Sequence, residues 1–227
     1  MRGPVQLFAT CLGDLVFPDA VADAEELLRR AGFEIEFPRG QVCCGQPAFN
    51  AGHRKAARRV ARTFTRAFAR DRPIVTPSGS CATMVAHYLP ELVGCEPYPI
   101  HELSAFLDGH RARLEQVNWG KVLAYHDSCH MLRELRIGEQ PRRLLERSGA
   151  RVITLPRPDL CCGFGGTFAV RQPEISVAMA DEKLAGAAKA QALVTADPGC
   201  LMHLLARSER AGGPPVVHLA TALAHGV

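Results

Sequence analysis

Nine cysteines stand at positions 11, 43, 44, 81, 95, 129, 161, 162 and 200 of a chain of 227 residues. Thiolates are soft ligands for zinc and for iron–sulfur clusters, and they are the nucleophiles of disulfide exchange. The inventory therefore points to metal binding or redox chemistry before anything else does. Two pairs are adjacent, Cys43-Cys44 and Cys161-Cys162, and each is followed by glycine. Neighbouring cysteines rarely bridge each other, because the ring so formed is strained. They can, however, hold one metal centre together. The spacings are C-x31-CC-x36-C and C-x31-CC-x37-C, with none of the CxxC knuckles common in zinc sites. Gaps of this length suit a site assembled from separate strand ends. Four thiolates per site are the usual ligand set of an iron–sulfur cluster, typically 4Fe–4S, and also of structural zinc. The residues favour iron–sulfur and leave zinc open for one or both sets.

The two sets belong to an internal repeat. Cys11 to Cys129, Cys43 to Cys161 and Cys44 to Cys162 are each separated by 118 positions, Cys81 to Cys200 by 119 and His101 to His218 by 117. A common shift of five landmarks indicates duplication. Only Cys95 has no counterpart. The first repeat is assigned to 1–108, a polar linker to 109–120 and the second repeat to 121–227.

The elements that must position the cysteines alternate between strand and helix. In the first repeat the patterns predict strands at 4–10, 33–37, 73–77 and 97–100, and helices at 19–31, 52–70, from about 81 and at 101–108. In the second they predict strands at 121–126, 150–155, 191–196 and 215–218, and helices at 139–148, 172–189, 200–210 and 219–224. Such alternation implies an α/β fold. It would comprise two tandem Rossmann-like halves, each a parallel sheet with covering helices, related by a pseudo-twofold. Ligands of open α/β sheets bind beyond the carboxyl ends of the strands. Cys11, Cys43, Cys44 and Cys81 would then converge on one edge, and Cys129, Cys161, Cys162 and Cys200 on another. Helix N-termini and flanking glycines would let the backbone approach a bulky centre and donate N–H bonds to its sulfur.

Further residues carry alternatives. His101 and His218 fall at strand-to-helix junctions, where they could orient a ligand from outside the metal or simply cap a helix. His126 precedes Cys129 where the first repeat has Phe8, and could serve the second centre alone. Met84 and His203, three residues after Cys81 and Cys200, could act as soft or borderline ligands or be ordinary helix residues. Eight Arg or Lys between 53 and 72 could steer an acidic partner or a carboxylate substrate, or form a solvated face.

Several function classes are excluded. A formal charge of +4 is far below the basic footprint of a nucleic-acid binder. No apolar run reaches 18 residues, so no transmembrane helix is expected. The start, MRGPVQLFATCLGD, lacks a signal-peptide pattern, and a cytoplasmic protein is expected. No strand-linked GxGxxG offers a site for NAD or FAD.

The segments FATCLGDLVFP, FPRGQVCCGQPAFNAG, PSGSCATMV, HDSCHMLRELRI, CCGFGGTFAVRQPEIS and HLATAL resemble the CCG, or cysteine-rich, domain family, most closely its lactate-utilisation protein A branch, over essentially the whole chain. The resemblance implies an iron–sulfur-binding electron-transfer subunit of an L-lactate oxidation system. It would be a non-autonomous part of an oxidoreductase, working beside a ferredoxin-like iron–sulfur subunit and a third subunit. Related members include the iron–sulfur subunits of glycolate oxidase and anaerobic glycerol-3-phosphate dehydrogenase, and the catalytic subunit of heterodisulfide reductase. In the last of these each motif ends in CxxC and supplies a fifth thiolate. Here Cys81 is followed by Ala82-Thr83-Met84 and Cys200 by Leu201-Met202-His203. The fifth thiolate is absent from both repeats, which weakens a disulfide-reductase reading. A structural scaffold holding zinc is the remaining alternative.

Overall fold

The computed structural model describes residues 2–227. The chain divides into two units, Met1–Ala112 and Arg113–Val227. The first unit runs β1 (Arg2–Leu7), α1 (Cys11–Val16), α2 (Pro18–Arg30), β2 (Phe33–Glu36), α3 (Gln46–Asn50), α4 (Arg54–Ala67), β3 (Ile74–Thr76), α5 (Gly79–Thr83), α6 (Leu89–Val93), β4 (Ile100–Glu102) and α7 (Leu103–Gly109). The second runs β5 (Val122–His126), α8 (Glu139–Arg147), β6 (Arg151–Ile153), α9 (Thr167–Arg171), α10 (Pro173–Gly186), β7 (Ala192–Thr195), α11 (Pro198–Ala211), β8 (Val216–His218) and α12 (Leu219–Ala224). Wider π turns occupy Met84–Tyr88 and His130–Glu134.

Each unit is built on a four-stranded parallel sheet, with orders β2-β1-β3-β4 and β6-β5-β7-β8. The strand sequences explain the arrangement. Val5, Leu7, Ile74 and Val75 in one sheet and Ala192, Leu193 and Val194 in the other are all but fully buried. Continuous apolar strands of this kind need helices on both faces. Local signals set the helix ends. Pro18 opens α2, Arg29 pairs with Glu25 one turn back at 2.7 Å, and Gly32 follows at φ +89°. From β1 the chain moves one way to β2, then returns across β1 to reach β3. The carboxyl ends of β1 and β3 therefore flank a topological switch point, the place where such sheets bind ligands.

The expected strands and long helices are all present, with ends shifted by a few residues. The short helices α1, α3 and α9 and the π turns are additions; they are too brief for periodicity to reveal. The segment from Arg113 to Gly120 lies in the second unit, where the buried Asn118 amide donates to Ser148 Oγ at 2.9 Å and to the Ala222 carbonyl at 2.7 Å. Among the described residues no helix is long and apolar enough to cross a membrane.

Candidate metal centres

Three connections of the first unit deliver its cysteines to one sheet edge. Cys11 opens α1 just beyond β1, the loop after β2 carries Cys43 and Cys44, and Cys81 lies in the first turn of α5 beyond β3. The second unit repeats this with Cys129 after β5, Cys161 and Cys162 after β6, and Cys200 in α11 beyond β7. The sulfurs meet. Cys44 Sγ lies 3.3 Å from Cys81 Sγ, and Cys162 Sγ lies 3.4 Å from Cys200 Sγ. Hydrogen bonds of Cys43 to Cys11 and Cys44, and of Cys161 to Cys129 and Cys162, complete two sets of four. None of these cysteines is in a disulfide.

The two sets share one protonation pattern. Hydrogen bonds from Cys11 and Cys44, with help from the Gly45 N–H, hold Cys43 down to about 3. Those from Cys129 and Cys162, with help from the Gly163 N–H, hold Cys161 down to about 2. The donors move the other way. Cys11, Cys44, Cys129 and Cys162 are all pushed up, first by the thiol hydrogen bonds to their neighbours and then by burial. Each set thus offers one thiolate already formed and further thiols whose protons a metal would displace.

The N–H donors to sulfur meet the sequence expectation in part: in the first turn of α1 the Leu12 N–H bonds to Cys11, but the starts of α5 and α11 are capped by side chains. Cys81 N–H is taken by Ser78 Oγ at 3.3 Å, and the Gly199 and Cys200 N–H groups by Asp197 Oδ1 at 3.0 and 3.3 Å. These caps leave those two helix starts occupied. Further donors come from the CCG turns: Gly45 to Cys43 and Gly163 to Cys161, each at 3.4 Å, and Phe164 to Cys162 at 3.5 Å. Both glycines are left-handed, at φ +93° and +94°. A Cβ on Gly163 would lie 2.5 Å from the Ser176 carbonyl oxygen, whereas one on Gly45 would meet the Ala57 carbonyl at 3.3 Å. Gly163→Ala is therefore expected to destabilise the apo-protein by more than the ~1–2 kcal/mol of left-handed backbone strain, and by more than Gly45→Ala. Thermal denaturation of the two variants side by side checks this ordering.

Two positioning residues escape sequence reasoning because neither lies in a cysteine motif. Gln41 fastens the first CCG loop to the end of β1, accepting from Ala9 N–H at 2.9 Å and donating to the Leu7 carbonyl at 3.3 Å. Buried Ser176 in α10 fastens the second by donating to the Gly163 carbonyl at 2.8 Å. No spacing rule picks a glutamine or serine out for such a task.

The histidines separate. Strand register pairs Thr76 with Glu102 and Thr195 with His218, so His218 corresponds to Glu102 and His101 to Val217. The equivalence expected of His101 and His218 is thereby corrected by one residue, since the offset between the repeats falls from 119 at Thr76 and Thr195 to 116 at Glu102 and His218. Glu102 and His218 both cap helices: Glu102 Oε2 accepts from Ser104 N–H at 2.8 Å, and His218 Nδ1 from Ala220 N–H at 3.1 Å. Exposed His101 packs its ring against Phe106, at a centroid distance of 5.5 Å. His126 alone among the three lies against sulfur, in one group with Cys162 and Cys200 whose donor atoms all fall within 4.8 Å of one another. Met84 is buried in the first core, and His203 Nε2 is engaged by Ser176 Oγ at 3.1 Å. Cys95 precedes β4, at the amino end of the sheet, where its thiol donates to the Glu96 carbonyl at 3.3 Å. The basic segment is a solvated face: Arg54, Lys55, Arg58, Arg59, Arg62, Arg66 and Arg70 are exposed on or just beyond α4.

The donor chemistry fits a thiolate-bound metal in both units, with soft sulfur ligands, N–H donors to sulfur and apolar walls. The sequence model of the cysteine-rich domain (CCG) family matches residues 5–86 and 123–205, one match in each unit and each spanning its four converging cysteines. The chain belongs to the cysteine-rich domain family. Among its relatives, lactate utilization protein A 2 of Bacillus cereus (strain Q1) is 42% identical over 98% of both chains. Lactate utilization protein A 1 of Bacillus anthracis (strain CDC 684 / NRRL 3495) is 41% identical over the same share. Lactate utilization protein A of Halalkalibacterium halodurans is 41% identical over 97% of this chain and 96% of its own. In this member of the family each match takes in strands of one sheet only, β1 to β3 or β5 to β7, so each CCG turn has its own sheet edge to stand on.

Proposed function

We propose that this protein is an iron–sulfur-binding electron-transfer subunit of a multi-protein system that oxidises L-lactate to pyruvate. The observation that carries the reading is the convergence of eight thiols into two sets of four, one at the carboxyl edge of each sheet. The names of the near full-length relatives supply the substrate. Cys11, Cys43, Cys44 and Cys81 would hold one centre, and Cys129, Cys161, Cys162 and Cys200 the other. When bound, an iron–sulfur cluster would supply one-electron redox chemistry at each edge.

The chain's own contribution is ligation and environment. The CCG turns orient the sulfurs and donate N–H bonds to them, while apolar walls exclude water and so tune the potential. Phe8, Phe64 and Phe68 form such a wall in the first unit, with ring centroids 4.3 to 5.2 Å apart. Electrons would pass to conventional clusters on a ferredoxin-like partner, a third subunit completing the complex. Nine free cysteines suit the reducing cytoplasm.

Anaerobic purification followed by iron, acid-labile sulfide and zinc analysis, with an EPR spectrum, tests the reading. Iron and acid-labile sulfide are expected together, near four of each for a site that holds a 4Fe–4S cluster. Zinc without sulfide, persisting after anaerobic reconstitution, would make the protein a structural scaffold and overturn the electron-transfer role.

A further inference from the structure

The two centres are built from matching cysteines, yet they differ at one buried position. Register aligns Leu7 with Val75 in the first sheet and Tyr125 with Val194 in the second, so the next residues, Phe8 and His126, are counterparts. Phe8 sits in the apolar cluster that contains Cys44 and Cys81. His126 takes the same place beside Cys162 and Cys200 and is 0% exposed.

Neither ring nitrogen of His126 has a hydrogen-bond partner among the described residues. Leaving a buried polar atom unpaired is costly. The Thr195 hydroxyl, across the register from His126, and the Ser128 hydroxyl are likewise without a partner and make no hydrogen bond to the ring, while the nearby charged and imidazole groups are engaged elsewhere. Both Asp127 carboxylate oxygens accept from Arg142, at 2.8 and 2.6 Å. Lys183 Nζ donates to the Arg157 and Pro158 carbonyls, His130 Nδ1 is bonded to Glu134, and His203 to Ser176. What faces the imidazole is sulfur. Two thiolates sharing one tetrahedral metal at about 2.3 Å each stand about 3.7 Å apart. Cys162 and Cys200 are already 3.4 Å apart. Two sulfurs and a nitrogen within 4.8 Å of one another can share one metal atom.

We infer that His126 is a nitrogen ligand to the metal at the Cys162–Cys200 corner of the second centre. The first centre, with Phe8 in that place, has sulfur ligands only. The inference rests on the reading that the second unit holds a metal and refines it: each iron of a 4Fe–4S cube takes one protein ligand, so a metal atom shared by Cys162, Cys200 and His126 is not a cube corner, and the two centres are chemically distinct despite the sequence repeat. Imidazole is a neutral donor where thiolate is anionic, so the two centres would also differ in potential.

The test uses the full chain, reconstituted anaerobically and labelled with 15N-histidine. A Cys43→Ser/Cys44→Ser background strips the first centre, so that signals arise from the second. Pulsed EPR is expected to show a nitrogen coupling of directly bound strength that changes with the 15N label and is lost in His126→Phe and His126→Gln. A second-centre signal without histidine coupling in the labelled wild-type background overturns the inference, and needs no folded variant to do so. Coupling that persists in both variants overturns it as well. Should the second centre hold zinc, X-ray absorption asks the same question. A nitrogen shell lost in the variants upholds the His126 ligand while the electron-transfer reading falls, and an all-sulfur shell overturns it. A second unit that takes up neither metal overturns both.

Discussion

Serine in place of Cys161 or Cys162 is expected to empty the second centre and leave the first, with about half of the bound iron and sulfide lost if both sites carry the same cluster. Serine in place of Cys43 or Cys44 is expected to do the reverse. The reason is geometric and chemical together. Each CCG pair stands within one unit and is linked to the sulfurs of that unit. A serine hydroxyl is a hard donor with a pKa too high to supply the anionic soft ligand that iron prefers. Within each pair the second cysteine is nearly or wholly buried, at 1% exposure for Cys44 and 2% for Cys162. Its loss also removes the sulfur that touches the helix-start cysteine. Cys95→Ser is the control and is expected to leave metal content unchanged, because Cys95 stands at the opposite end of the first sheet's strands. Iron, sulfide and zinc measured per chain across the five variants check the assignment. Loss of a centre in Cys95→Ser would sink it.

The second large effect is expected from Arg142→Ala. Arg142 clamps Asp127 through two hydrogen bonds, and the Asp127 side chain is only 1% exposed. Hydrogen bonding to that carboxylate, ahead of the opposing cost of burial, pushes the Arg142 guanidinium up. Removing one partner of such a pair strands a buried charge, at a cost of about 3–5 kcal/mol. Asp127 lies directly between His126 and Ser128-Cys129, so the loss would reach the ligand loop. The double variant Asp127→Ala/Arg142→Ala is expected to recover most of the stability. It restores the residues found 118 positions earlier, Ala9 and Ala24, both buried in the first unit. Amide hydrogen exchange across Val122–His126 reads the opening energy of the second unit directly. A single variant as stable as the parent, or a double variant less stable than the single, would show that the pair does not hold this loop.

Much of the architecture was legible because two periodicities are strong. Parallel strands such as Ile74–Thr76 and Ala192–Thr195 are buried on both faces and read as apolar runs. Helices such as Pro18–Arg30 announce themselves by a starting proline, basic residues in the last turn and a following glycine. The short α1, α3 and α9 are a turn or so each and exist because tertiary contacts hold them, so local sequence carried little sign of them. The basic helix shows the opposite case. Its charges stood out in the sequence, but their exposure around an alanine and phenylalanine stripe explains them as a solvated face.

The sequence by itself determined the duplication, the α/β alternation and the eight cysteines in two sets, because those follow from residue type and spacing along the chain. Tertiary structure alone decided which groups meet. It capped the starts of α5 and α11 with side chains and added sulfur-facing N–H donors at the CCG turns, where Gly45 and Gly163 can turn left-handed. It replaced His101 by Glu102 as the partner of His218, because the register of β4 and β8 fixes equivalence where counting had slipped by one. It also separated His126 from His101 and His218, two other histidines whose positions in the sequence made them candidates. Burial and the absence of a hydrogen-bond partner are properties of the packed surroundings of a side chain, and no spacing along the chain encodes them.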